Sequence, residues 1–399
     1  MATAINQCNN FVLYGYDFDK NVIPLRLAAT DPLFRLTQRL QLTNNDANIF
    51  SRDGKTIMRA DDGLPFLLRY ENVADYRNGE VWILDRRKYP AEEKFVRCAD
   101  YRDVAQAIAG MVTQSGGPWL AAAYGMVSAA RGVRNLSREG AKEEMRRAAD
   151  ALIYARPTTS ANMNIHITRI LKRAQDAIDR GEDAESITYA YVQKNLENRY
   201  RNSRQIAAYA VDLMPDGVSI LTQCYAETLI GFVLLVSQEK GKHVSLICPE
   251  TRPYLQGARL TASVACDMGV PVTVITDNMP AYILSKGMAQ VFICAADVIT
   301  LDGCVVNKIG TFQIALAAHF YGVPFYALGT PSAAHPDISK VEVEERDPEE
   351  TVHAMGIRTA KDGVRGYYPA FDITPPSLIR AVITPKGIFS PSDLKGYFS

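Results

Sequence analysis

Residues 218–250 read VSILTQCYAETLIGFVLLVSQEKGKHVSLICPE. Val218–Cys224 is a short run of apolar and β-branched residues, the pattern of a strand buried on both faces. From about Glu227 to Gln238 the chain stays apolar for more than three helical turns, which predicts a helix. Val244–Glu250 is then a second strand. The same alternation continues outward through a helix over QGARLTASVACDMG (256–269), a strand at Val270–Asp277 and a short helix near Ala281–Lys286. Two further strands, Gln290–Asp297 and Val323–Gly329, flank a loop and a helix over Ile309–Phe320. Strands that are apolar on both faces and alternate with helices predict an α/β fold with a parallel, doubly wound sheet.

The first half follows another pattern. Residues 1–75 mix short strands with Asn/Asp-rich turns and form an extension of unassigned role. From Val81 to about Arg131 the sequence predicts a strand (VWILD), a second short strand (KFVRC) and two helices. Ala141–Arg173 reads as helix interrupted at Arg156-Pro157, because proline cannot continue a helix interior. Arg180–Gln205 reads as a long solvated helix leading into the second half. The expected division is an extension over 1–75, a smaller α/β and helical domain over 76–205, and the large sheet domain over 206–399.

The chain has 399 residues, 47% of them hydrophobic, enough for a sizeable core. Lysine plus arginine equals aspartate plus glutamate at 44 each, so the formal net charge is zero. That balance argues against dedicated nucleic-acid or polybasic membrane binding. MATAINQCNNFVLYGYDFDK (1–20) has no basic segment followed by a long apolar run, and no stretch is apolar enough to cross a bilayer. Seven scattered cysteines without a CxxC pair fit reduced thiols. A cytoplasmic protein without membrane or nucleic-acid partners is expected.

In an open parallel sheet, ligands bind beyond the carboxyl ends of the strands. The residues at those ends are Cys224, Glu250, Asp277, Asp297 and Gly329. Each has a plain structural explanation, since a cysteine is usually a small core hydrophobe and a strand-ending aspartate a turn former. Their convergence on one edge is what points to acid–base chemistry on a small polar molecule. TQCYAETL replaces the GxGxxG that a dinucleotide cofactor needs, and no Walker-type GxxxxGK[ST] exists. The histidines at 166, 243, 319, 335 and 353 have no metal-ligand spacing. No cofactor and no metal are expected. Lys308, beside the start of the helix after Gly310, is a candidate phosphate contact.

Several segments resemble one family. ETRPYLQGARLTA (250–262), ADVITLDGCVVNKIGT (296–311), VEERDPEE (343–350) and YPAFDITP (368–375) are similar to methylthioribose-1-phosphate isomerases. VWILDRRKYP (81–90), YRDVAQAIAGM (101–111), LAAAYG (120–125) and ARPTTSANM (155–163) fit the same pattern. The wider family holds ribose-1,5-bisphosphate isomerases and the regulatory subunits of translation initiation factor 2B. The resemblance implies a small amino-terminal α/β domain before a Rossmann-like domain, usually in a homodimer. It implies aldose–ketose isomerisation of a ribose-1-phosphate-like sugar, with Cys224 as proton shuttle and Asp297 as acid. It also points to Arg156, Gln256, Asn307 and Lys308 as substrate contacts, together with the loop Gln114-Ser115-Gly116.

The departures concern the substrate contacts. Ser115-Gly116-Gly117-Pro118-Trp119-Leu120 stands where the family carries R-G-A-P-A-I-G, so a serine replaces the arginine that helps hold the phosphate. The family's T-H-C-N-A-G is here Thr222-Gln223-Cys224-Tyr225-Ala226-Glu227, and N-P-A-F-D begins instead with Tyr368. These changes imply a reshaped pocket for a related pentose derivative, phosphorylated or not. The alternative reading is a non-catalytic regulatory or sugar-phosphate-binding protein on the same scaffold.

Overall fold

The computed structural model describes residues 59–156 and 160–398, with the backbone of short strands before them. The chain divides into two compact units, Met1–Asp62 and Gly63–Ser399. In the first, Ile5–Gln7, Asn10–Tyr16 and Val22–Arg26 pair as an antiparallel sheet. The turns expected elsewhere over 1–58 lie outside the described residues.

The second unit opens with an antiparallel sheet of β1 (Ala74–Arg77), β2 (Glu80–Leu84) and β3 (Phe95–Cys98), with Asp75 and Arg97 both opposite Trp82. Five helices follow: α1 (Tyr101–Ala109), α2 (Gly117–Gly132), α3 (Arg138–Ile153), α4 (Ser160–Arg180) and α5 (Ala184–Asp212). Asp100 accepts the Arg102 and Asp103 amides at the start of α1, and Ser137 accepts the Gly140 amide at the start of α3. α2 is buried along nearly its whole length, because GPWLAAAYGMVSAARG is mostly small residues that let neighbouring helices close in. The long helix expected over 180–205 is α5, which starts four residues later and runs on to Asp212. Gly181, at φ +69°, ends α4 before α5 begins. α5 is not solvated all round: Thr188, Val192, Leu196, Tyr200 and Ser203 form a buried stripe at helical spacing.

The remaining chain builds a seven-stranded sheet. Its strands are β4 (Val218–Leu221), β5 (Val244–Pro249), β6 (Val272–Ile275), β7 (Val291–Ala295), β10 (Phe325–Leu328), β12 (Ala381–Thr384) and β13 (Gly387–Phe389). In space they run β6-β5-β4-β7-β10-β12-β13, all parallel except β13 at the edge. The helices between them are α6 (Thr228–Glu239), α7 (Ala262–Asp267), α8 (Pro280–Ser285) and α9 (Thr311–Phe320). Leu221, Ile247, Phe292, Phe325 and Val382 fill the core, with Phe292 and Phe325 stacked at 4.4 Å. The strand order reverses between β4 and β7, and the segments bearing Cys224 and Asp297 leave the sheet there.

Two parts of this architecture are not apparent from the sequence. The AVIT strand β12 extends the parallel order beyond Gly329. A small antiparallel sheet of β8 (Val298–Ile299), β9 (Val305–Lys308) and β11 (Phe371–Thr374) occupies what reads as loop. Its strands are two to four residues long and carry Asn307, Lys308 and Asp372, so they lack the apolar run that marks a buried strand.

Candidate active site

Cys224 ends the turn after β4 in an unusual backbone conformation, φ 62°. Left-handed φ is costly for a residue with a side chain, so the surroundings must hold it. Thr251 Oγ1 accepts the Cys224 amide at 3.2 Å, and Thr261 Oγ1 donates to the Cys224 carbonyl at 2.6 Å. Both threonines belong to the segment after β5. Thr251 is itself left-handed, φ 63°, and Asp277 fixes its turn by accepting the Thr251 and Arg252 amides at 2.8 and 2.7 Å. Asp277 is therefore the turn former that a strand-ending aspartate usually is. Thr261 closes a π turn over Gly257–Thr261 that leads into α7. Only glycine fits at 257, where a Cβ would lie 1.8 Å from the Pro249 carbonyl oxygen.

Asp297 follows β7, and its amide bonds the Val306 carbonyl of β9 at 3.0 Å. Around Cys224 and Asp297 stand three cations. Lys308 ends β9, Arg156 comes from the segment after α3, and Arg346 comes from VEERDPEE; all three act electrostatically on Asp297. Lys308 is 4% exposed, and its Nζ reaches Tyr368 Oη at 3.4 Å and lies over the Phe371 ring. Arg346 donates to Glu344 at 3.0 Å and faces the rings of Tyr254, Tyr368 and Phe371. An adjoining crevice lined by Arg252, Ile309, Thr351, Tyr367 and Tyr368 shares Tyr368 with this cluster but includes neither Cys224 nor Asp297.

Cys224 is half-buried and Asp297 is exposed, yet protein atoms crowd round both side chains. That desolvation pushes the Asp297 carboxyl above the usual carboxylate range, against the pull of Lys308, Arg346 and Arg156. It pushes the Cys224 thiol up to about 11, while Lys308 draws it back and Asp297 adds to the rise. The Lys308 ammonium is brought down to about 8 by burial and by Arg346. The site thus holds a carboxyl whose pKa is raised by desolvation and a thiol that is protonated at neutral pH.

The other expected contacts lie on β9, beside the π turn and in the turn into α2. Asn307 turns its Nδ2 to Thr311 Oγ1 at 3.0 Å and Cys294 Sγ at 3.5 Å. Lys308 ends β9, three residues before α9 begins at Thr311. Two amides at the start of α9, Gly310 N and Phe312 N, donate to the Asp372 carboxylate at 2.7 and 3.1 Å. Gln256 is buried beside the π turn, and its Oε1 has no partner among the described residues. Gln114, Ser115 and Gly116 form the turn into α2, and the Gly116 amide donates to Glu227 at 2.6 Å. Glu227 also takes Arg86 at 2.6 Å, and Arg86 Nη1 reaches the Gln114 carbonyl. Sequence reasoning gave no role to Arg346, Glu344 or Arg86. The lone arginine within the acidic run VEVEERDPEE was the available signal for Arg346.

The profile of the initiation factor 2 subunit family matches residues 114–391. The chain belongs to that family. Within it, this member is 35% identical over 333 residues to the methylthioribose-1-phosphate isomerase of Desulforamulus reducens, covering 80% of this chain and 96% of that protein. It is 37% identical over 330 residues to the enzyme of the same name from Pelotomaculum thermopropionicum, covering 79% and 89%. The crystal structure of 5-methylthioribose 1-phosphate isomerase from Pyrococcus horikoshii OT3 superposes with a TM-score of 0.73 at 30% identity, over 82% of this chain and 95% of that one. Translation initiation factor eIF-2B subunit delta from A. fulgidus superposes at 0.70 and 31% identity, over 80% and 96%. Both are structures of the same mixed α/β fold with a parallel-rich sheet.

Proposed function

We propose that this protein is an aldose–ketose isomerase that converts a ribose-1-phosphate-like sugar, 5-methylthioribose 1-phosphate or a related 5-substituted pentose derivative, to its ribulose form. The observation that carries the reading is an exposed carboxyl, Asp297, grouped with the Cys224 thiol and with Lys308, Arg346 and Arg156, its pKa raised by desolvation. Chains named for this reaction that align over nearly their whole length support it.

The anomeric phosphate blocks ordinary ring opening, so a proton must be supplied to the ring oxygen. Asp297, protonated, gives it; the bond from C1 to the ring oxygen breaks and positive charge develops at C1. That charge lowers the pKa of the neighbouring thiol, and the Asp297 carboxylate accepts the Cys224 proton. The thiolate then removes the proton from C2, whose electrons form the C1–C2 double bond. Cys224 returns that proton to C1 and takes the C2 hydroxyl proton, leaving a ketone at C2 and both side chains as they began. Arg156, Lys308 and Arg346 hold the phosphate dianion. The large domain, 206–399, is of the Rossmann-like doubly wound type after a smaller domain over 76–205. The enzyme works as a cytoplasmic homodimer.

The test is to incubate the protein with a panel of aldose 1-phosphates and their unphosphorylated parents and to follow ketose signals by 13C NMR. Conversion of one member identifies the substrate. Inertness toward all of them, with tight binding of one, supports the regulatory or sugar-phosphate-binding alternative.

A further inference from the structure

Glu227 sits at an improbable place for a glutamate. Its backbone is at φ 46°, ψ −122°, a region that suits glycine. Its side chain is buried, and the carboxylate is gripped at both oxygens. Oε1 pairs with Arg86 Nη2 at 2.6 Å, and Oε2 accepts the Gly116 amide at 2.6 Å. Arg86 is completely buried. Arg199 lies alongside, since a Cβ on Gly116 would meet both Glu227 Oε2 and Arg199 Nη2 within 3 Å. A backbone amide at the start of the sixteen-residue α2, with guanidinium groups beside it, is the composition of an anion site. Here the anion is a side chain of the protein itself.

Neutral polar groups left without partners surround this ion pair. Gln114, two residues before Gly116, is 4% exposed, and neither its Oε1 nor its Nε2 has a partner among the described residues. The same is true of Tyr225 Oη, next to Cys224 and over the Arg86 guanidinium. Buried polar atoms of this kind are normally satisfied, so a cluster of them marks a place that a ligand completes. The unused amide and phenol can each bond a hydroxyl group, while Arg86, whose Nε is also without a partner among the described residues, is already paired with Glu227.

We infer that Glu227 is a specificity-determining residue: it fills the anion pocket of the 114–118 turn from within, so that the substrate presents a neutral, hydroxyl-bearing part there and places its one anionic group on Arg156, Lys308 and Arg346. This rests on the isomerase reading for the identity of the substrate, but the filled pocket itself does not. A glycine at 227 relaxes the backbone and vacates the pocket in one change.

The experiment therefore uses inorganic phosphate and needs no turnover. Wild type, Glu227→Gly, Glu227→Ala and the double variant Arg86→Met/Glu227→Gly are titrated with phosphate at constant ionic strength by calorimetry, with thermal melts in parallel. Wild type is expected to bind one phosphate. Glu227→Gly is expected to bind a second, with an affinity at the new site at least about tenfold above any in wild type, and to melt at higher temperature as phosphate is added. The double variant is expected to lose that second site. If Glu227→Gly does not fold without ligand, Glu227→Ala, which also empties the pocket, must show a larger phosphate-dependent rise in melting temperature than wild type. Phosphate stoichiometry and melting response identical to wild type in both single variants overturn the inference. Failure of the isomerase reading would appear separately, as no conversion of any sugar by wild type.

Discussion

Removing Arg86 should unmask how strongly the Arg86–Glu227 pair is coupled. The pair is made at 2.6 Å, with Arg86 fully buried and the Glu227 side chain 6% exposed, so neither charge can turn to water if its partner is lost. Arg86→Met leaves a buried carboxylate held by the Gly116 amide and strips a donor from the Gln114 carbonyl. Breaking a buried pair from one side costs about 3–5 kcal/mol, and the lost carbonyl bond adds about 1 kcal/mol. Glu227→Gly leaves Arg86 unpaired at a similar cost of about 3–5 kcal/mol, less about 1–2 kcal/mol for relief of the backbone at φ 46°. The double variant Arg86→Met/Glu227→Gly removes both charges together and suffers only a packing loss of about 2 kcal/mol. The single changes therefore sum to well above the double, with a coupling of about 3 kcal/mol or more. Urea unfolding of the four proteins at pH 7, compared by midpoint and slope, measures it. Additivity within about 0.5 kcal/mol would mean the two groups do not sense each other, and the anion-pocket reasoning would go with it.

Other expectations are more local. Lys308 loses its proton near pH 8 in the ligand-free protein, and its lowered pKa means the charged form that holds phosphate is lost as pH rises; KM should climb above pH 8, and Lys308→Arg should move that climb upward, which initial-rate profiles will read. Cys224 is raised from 9.0 to about 11. Alkylation by iodoacetamide should rise with a midpoint near 11, and a midpoint below 8 would contradict the site's electrostatics. Because this folded pKa is raised, the thiol's contribution to stability is complete below pH 9 and is lost between 9 and about 11. Gly257→Ala forces a Cβ to 1.8 Å from the Pro249 carbonyl oxygen. It should destabilise by at least about 3 kcal/mol and lower kcat by shifting Thr261, a change visible in melts and rates together.

The sequence carried the sheet because its signal is local. Val218–Leu221, Val244–Pro249 and Val291–Ala295 are apolar on both faces and each stands against a helix-length segment. For the same reason Cys224 and Asp297 could be singled out as candidates: each follows an apolar run that reads as a strand. The polar strand Val305–Lys308 was not, because its hydrogen-bonding partner, Phe371–Thr374, is more than sixty residues away and neither has an apolar run. Arg346 reaches the site from a loop whose charges read as a solvated face. The Arg86–Glu227 contact spans 141 residues, and only the oddity of glutamate at the place of the family glycine hinted at it.

The measurement that bears most directly on the central proposal is turnover of 5-methylthioribose 1-phosphate, or of the panel member that wild type converts, by Cys224→Ser and Asp297→Asn. The account predicts that each loses at least about 100-fold in kcat while still binding the sugar phosphate through Arg156, Lys308 and Arg346. Either variant turning over as fast as wild type would contradict it.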